Sequence, residues 1–278
     1  MNHKEQQGFL TVAINSDSVD YLELAYTQAL NVKCTQKIKS FAVVVDKHTH
    51  NCVKDKHRAV FDYIIQVPES TTGPYGIEPE VFWLTPFKET VKLESDLLFT
   101  RSIDHWWNTF RLRDIVLSTG CRNYQQELSL VRKYRKFFDD NDLPDVYNGL
   151  MYFRFTKTAR DFFTTAKNIY ANWTTVGDIL LNCRDDIPTT DVVYAIAARL
   201  VGQEQCTLPS ADFVNFVHLK PAINRFDEDL AVREVFVTEF DQGMIRINNI
   251  NQYHPLHYYD KTFVTKEMIE YYEQRSMA

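Results

Sequence analysis

The sequence predicts an α/β protein, a doubly wound mixed sheet flanked by helices and followed by a β-rich and helical C-terminal extension. Three observations carry this. Short β-prone runs alternate with helix-period segments through the first hundred residues, as in βαβ units. One of those runs, Phe41 to Val45, is continuously apolar, the pattern of a strand covered on both faces. A chain of 278 residues with 45% hydrophobic content is also long enough for one large core.

Residues 9–15 (Phe-Leu-Thr-Val-Ala-Ile-Asn) read as the first strand. Ser16-Asp17-Ser18 turns the chain into a helix expected to begin near Val19 and to carry Tyr21, Leu24, Ala25 and Leu30 on one face. Phe41-Ala42-Val43-Val44-Val45 is a buried strand closed by Asp46, and a short helix over 56–61 with a strand over 62–67 repeats the step. Residues 68–79, with Gly73-Pro74 and Gly76, read as an exposed irregular connection close to the substrate. A strand over 90–99 follows, then a helix holding Trp106 and Trp107 and a helical stretch ending near Phe138. Beyond these the pattern gives a strand over 146–155, helices over 158–171 and 190–202, an apolar strand over 213–219, and a β-rich end with a helix after Thr265. With no repeat and no linker, a single domain is expected over 1–278.

Composition narrows the function. The formal net charge of −6 argues against a protein coated in nucleic acid. One stretch departs from it: from Arg101 to Lys136, eight Lys or Arg face three acids, a local charge of +5 (8 − 3). That island is either a solvated face or a polyanion-binding surface. Five scattered cysteines without two-residue spacings read as buried free thiols. The polar start, Met1 to Gln7, and the lack of an apolar run approaching a membrane span predict a cytoplasmic protein without membrane partners.

Alternation along a strand sets Lys92, Glu94 and Asp96 on one side and Val91, Leu93 and Leu97 on the other. Ligands of open α/β sheets bind beyond the carboxyl ends of strands, where two carboxylates suit Mn²⁺ or Mg²⁺ bridging a diphosphate. Taken alone, the same pair reads first as a solvated strand end. His218, in an apolar run, is either a metal ligand or a core histidine; His254 and His257 are a second source of a ligand or ordinary loop histidines. Trp83, Trp106, Trp107 and Trp173 either stack on sugars or bases or fill the core.

Four segments in order resemble the glycogenin-like glycosyltransferases of GT-A fold. Leu10-Thr11-Val12-Ala13-Ile14-Asn15 with Tyr21 is similar to their opening. Lys92-Leu93-Glu94-Ser95-Asp96-Leu97 is similar to their Asp-x-Asp segment, with Glu for the first Asp. Asn148-Gly149-Leu150 resembles their Asn-x-Gly strand without the middle residue, and His218-Leu219-Lys220-Pro221 their late His…Lys-Pro segment without its glycine.

The resemblance implies a retaining transfer from a nucleoside diphosphate sugar, with uridine diphosphate expected, to a hydroxyl. It implies Mn²⁺ (or Mg²⁺) on Glu94, Asp96 and His218, and donor contacts from Ala13, Asn15, Tyr21, Lys92, Gly149 and Lys220. Asn148 and Asp191 would act at the donor sugar, and for Asp191 the alternative is a helix-terminal acid favoured by the dipole. Residues 1–100 would form the nucleotide-binding half and 101–278 the acceptor and donor-sugar half. The acceptor is a glycan, a protein side chain or modified DNA. A looser likeness to bacteriophage glycosyltransferases points to hydroxymethylcytosine in DNA, gripped by Arg111, Arg113, Arg132, Lys133, Arg135 and Lys136. The opposing reading is a non-catalytic binding module on the same fold.

Overall fold

The computed structural model describes residues 5–68, 76–210 and 212–276. Strands β1 (Glu5–Val12), β2 (Phe41–Val45), β3 (Tyr63–Gln66), β4 (Phe87–Glu94), β6 (Ile115–Ser118) and β7 (Tyr147–Arg154) form one sheet of order β3-β2-β1-β4-β7-β6. β1 runs parallel to β2 and β4, and β2 to β3, while β7 is antiparallel to both β4 and β6. The sheet is therefore mixed, as expected.

Both faces are buried, which explains the continuous apolar runs. Phe9, Val43 and Val91 point into one core; Leu10, Val44 and Met151 point into the other. Helix α1 (Tyr21–Thr35) covers the first face, and α2 (Lys157–Ala171) and α3 (Thr190–Val201) contribute to the second. Asp20, rather than the preceding Ser-Asp-Ser cluster, caps α1 by accepting from Glu23 N–H at 3.1 Å. All four tryptophans lie in or against these cores, so their role is packing.

Three expectations need correction. Residues 69–75 of the expected connection, including Gly73-Pro74, lie outside the described residues, as do Met1 to Lys4. The end of that connection is ordered: a 3₁₀ turn over Glu78–Glu80 runs into a helix over Val81–Leu84, with Ile77, Glu78 and Pro79 buried. The strand expected over 90–99 stops at Glu94. Ser95 and Asp96 form a turn, and β5 (Leu97–Leu98) joins a different sheet. Buried Gln28 of α1 holds this turn by donating from Nε2 to the carbonyls of Glu94 (2.6 Å) and Leu97 (2.7 Å). The apolar run 213–219 contributes only β8 (Val217–His218) as strand.

The C-terminal extension is β-rich and helical. A meander of β9 (Thr238–Asp241), β10 (Met244–Ile247) and β11 (Ile250–Asn251) turns at Gln242-Gly243 and Asn248-Asn249. All four turn residues have positive φ, which suits two-residue hairpin loops. Then β12 (Leu256–His257) inserts between β5 and β8. The last helix, α4 (Lys266–Ser276), lies on α1, where Tyr26 donates to Glu273 Oε1 at 2.7 Å. Among the described residues no helix is long and apolar enough to cross a membrane.

Candidate functional site

The chain winds from β1 outward to β3, then returns to β4 on the other side of β1. Strand order thus reverses between β1 and β4, and a crevice opens beyond their carboxyl ends. A cavity of about 540 Å³ fills it, lined by Val12, Asn15 and Tyr21 from the β1 side and Glu94, Ser95 and Asp96 from the β4 side. A second lobe of about 210 Å³ shares Glu94, Thr190, His257 and Tyr259 with the first and continues past Asn148, Asp191, His218 and Lys220.

At the junction three side chains of metal-ligating type converge. His257 Nε2 lies 3.0 Å from Glu94 Oε2 and 2.9 Å from Asp96 Oδ1, and one donor atom from each residue falls within 4.8 Å of the others. Neither carboxylate oxygen is aligned with the ring N–H as a good hydrogen bond requires. Cis ligands about 2.1 Å from an octahedral ion stand about 3 Å apart, so the donor spacing fits a shared cation. Two carboxylates and an imidazole form a set that Mn²⁺ accepts.

Within the cluster the charges pair internally. Lys261 pairs with the second oxygen of Asp96. Burial pushes the Asp96 carboxyl up, but His257 and Lys261 hold it well below its ordinary value. Burial alone would lower His257; Asp96 and Glu94 instead raise it to about 10. His218 stands beside it, opposite His257 in the β8–β12 register, with the two Nδ1 atoms 3.2 Å apart. Burial and that neighbour hold His218 well below the usual histidine range. The imidazole within reach of both carboxylates is thus that of His257, because β12 and not β8 pairs with the strand following Asp96. His254 lies elsewhere, its Nδ1 3.1 Å from Gln126 Oε1.

The second lobe gathers other expected residues. Asp191 accepts from Asn148 N–H at 2.8 Å and from Arg135 Nη1 at 3.2 Å. Burial raises its carboxyl, against the pull of Arg135. Asn148 reaches Glu94 Oε1 at 3.5 Å. Gly149 has a packing reason as well: a Cβ there would meet Phe216 Cζ at 2.5 Å. Lys220 lines this lobe with Nζ 5.6 Å from the Tyr259 ring centre, whereas Lys261 lines the first.

Other expected residues sit differently. Asn15 lines the first lobe, yet its Oδ1 is occupied by Leu22 N–H at 2.9 Å. Ala13 is fully buried in the core behind the cavity. Lys92 cannot touch a nucleotide from its position: it is fully buried in a central strand and paired with Glu78 at 2.7 Å.

The basic island is largely neutralised. Arg111 pairs with Glu89, Arg132 with Asp139 and Asp145, Lys133 with Glu228 and Lys136 with Asp140, while Arg113 donates to the Glu204 carbonyl. Arg135 is only 2% exposed, held by Asp145 and Asp191 and stacked against Phe138 and Tyr147. It therefore presents nothing to an external polyanion.

The sequence matches no protein-family model and no curated protein. Among solved structures it is similar to mouse xyloside xylosyltransferase 1 in its apo form, at 12% identity and a TM-score of 0.45, covering 73% of this chain and 85% of that one. The glycosyltransferase GlyE in Streptococcus pneumoniae TIGR4 gives 9% identity and a TM-score of 0.47, covering 98% of this chain, which spans 61% of the GlyE chain. The 4-diphosphocytidyl-2C-methyl-D-erythritol synthase from Anaerococcus prevotii DSM 20548 gives 13% identity and a TM-score of 0.39, covering 77% and 89% of the two chains. At such scores these are likenesses only, and the fold class stands on strand order and register.

Glu78, Lys261 and Gln28 were not singled out by sequence. None sits in a motif; each reaches the site through tertiary packing. His257 had a signal in the Tyr253-His254-Pro255-Leu256-His257-Tyr258 run, although spacing could not rank it above His218.

Proposed function

We propose that this chain is a metal-dependent glycosyltransferase that moves a sugar from a nucleoside diphosphate sugar, with uridine diphosphate as the first nucleotide to test, to a hydroxyl acceptor with retained configuration. The observation that carries the reading is the convergence of Glu94, Asp96 and His257 at the strand-order reversal, between two joined cavity lobes. Mn²⁺ or Mg²⁺ held there would offset charge growing on the departing diphosphate. His218 backs His257 and orients it. Tyr21 and Asn15, from the nucleotide-binding half 1–100, flank the first lobe. Asn148, Gly149 and Asp191, from the half 101–278, shape the second, and the donor sugar sits where the two lobes join, between Glu78 and Asn148. Lys261 and Lys220, one per lobe, supply positive charge beside the leaving group. No protein nucleophile is required.

The ion pairing of the basic island weakens the case for hydroxymethylcytosine in DNA, since its cations already have partners. A hydroxyl on a glycan or protein is the better match. The deciding experiment is thermal denaturation with nucleoside diphosphates and nucleotide sugars, each with and without Mn²⁺, on wild type and Asp96→Asn. A metal-dependent rise in Tm that Asp96→Asn lacks, accompanied by sugar transfer or hydrolysis, supports the reading. Binding without turnover would make the chain a binding module, and no metal-dependent shift would refute the site.

A further inference from the structure

The least expected group in the first lobe is Glu78. Its residue is 8% exposed and lines the cavity, and its carboxylate is 2.7 Å from the ammonium of Lys92, a residue with no exposure at all. Lys92 is in register with Leu10 and Met151 in the middle of the sheet, so its ammonium rises through an apolar face. The backbone of Glu78 is fixed from the other side, its carbonyl accepting from Tyr194 O–H at 2.9 Å. A buried pair of this kind adds little net stability, because desolvation offsets most of the attraction. It does produce a rigid carboxylate at a cavity wall.

The polar groups around it include further acceptors. Asn148 Oδ1 is buried with no hydrogen-bond partner among the described residues, and Glu94, Asn148 and Thr190 line the adjoining lobe. An unused acceptor beside a carboxylate at a cavity wall suits a ligand that donates. A phosphate offers no donors and would be repelled by a carboxylate; the hydroxyls of a sugar donate. We propose that Glu78 anchors hydroxyl groups of the transferred sugar, with Lys92 as the buried counter-charge that fixes the carboxylate in place. This rests on the donor-site reading above and names the part of the donor that Glu78 recognises.

Removing one charge alone strands the other, so the informative variant is E78Q/K92M, which removes both and keeps the volumes. Binding of UDP, GDP, UDP-glucose and GDP-mannose with Mn²⁺ is measured by calorimetry, alongside Tm. The expected result is a Tm near that of wild type, unchanged affinity for the free diphosphate, and about tenfold weaker binding of the matching nucleotide sugar, the scale of a lost hydrogen bond to a charged group. E78D, with a shorter reach, falls between. Equal affinity of wild type and E78Q/K92M for the nucleotide sugar overturns the proposal, as does an equal loss for sugar conjugate and free diphosphate. If the double variant fails to fold, E78D decides, since it keeps both charges: selective loss of sugar-conjugate affinity supports the proposal and none overturns it. A wild-type protein that binds none of the four would instead refute the donor site itself, and the proposal with it.

Discussion

His257 Nε2 stands 2.9 Å from Asp96 Oδ1 because β12 pairs with the two-residue strand that begins just after Asp96. His218, one strand further, meets His257 rather than the carboxylates. His257→Gln should therefore abolish the Mn²⁺-dependent rise in Tm, whereas His218→Gln should retain it at reduced size. Loss in the His218 variant with retention in the His257 variant would reverse the assignment.

Arg135 is a structural cation. Arg135→Met would leave Asp145 and Asp191 without their buried partner, and urea denaturation should show a loss of about 3–5 kcal/mol. Lys133→Ala and Lys136→Ala, at exposed positions, should stay within about 0.5 kcal/mol of wild type. If Arg135→Met were equally mild, the buried network would be energetically idle.

Gly149→Ala should destabilise by about 1–3 kcal/mol, because the added methyl enters the space of the Phe216 ring. Phe216→Leu in the same chain should recover most of that loss. Failure to recover would assign the glycine's role to its backbone.

Acid stability has one identifiable contributor on α1. His57 and Lys56 outweigh burial and hold the Glu23 carboxyl at about 2, below its ordinary 4.5. A depressed folded value means that the stabilisation is complete above about pH 4.5 and is lost as pH falls toward 2. Glu23→Gln should therefore flatten the fall in Tm across that window while leaving its shape near neutrality unchanged. An unaltered acid limb would show that other carboxylates dominate it.

Legibility from sequence followed how local each cause was. β2 and β7 were readable because strands buried on both faces hold near-continuous apolar runs, Phe41–Val45 in β2 and Leu150 to Phe153 in β7. β6, only Ile115–Ser118, escaped notice beside the charged stretch around it. Alternation correctly put Glu94 on a strand but failed for Asp96, since Gln28 pulls the chain into a turn at that point. The basic island looked like a surface because the acids that pair with it, Glu89, Asp139, Asp140 and Asp145, lie just outside the stretch being counted. Likewise, nothing near Glu78 in sequence announces a buried partner on a strand.

The three donors enter the fold from distant parts of the chain, two at the end of β4 and the third in β12, near the last helix. During synthesis the main sheet can be completed once β7 has left the ribosome, well before His257 is made. A nascent chain at that stage has the crevice but lacks the imidazole. On the proposed reading, the complete donor set therefore exists only once β12 has been made and has paired with β5.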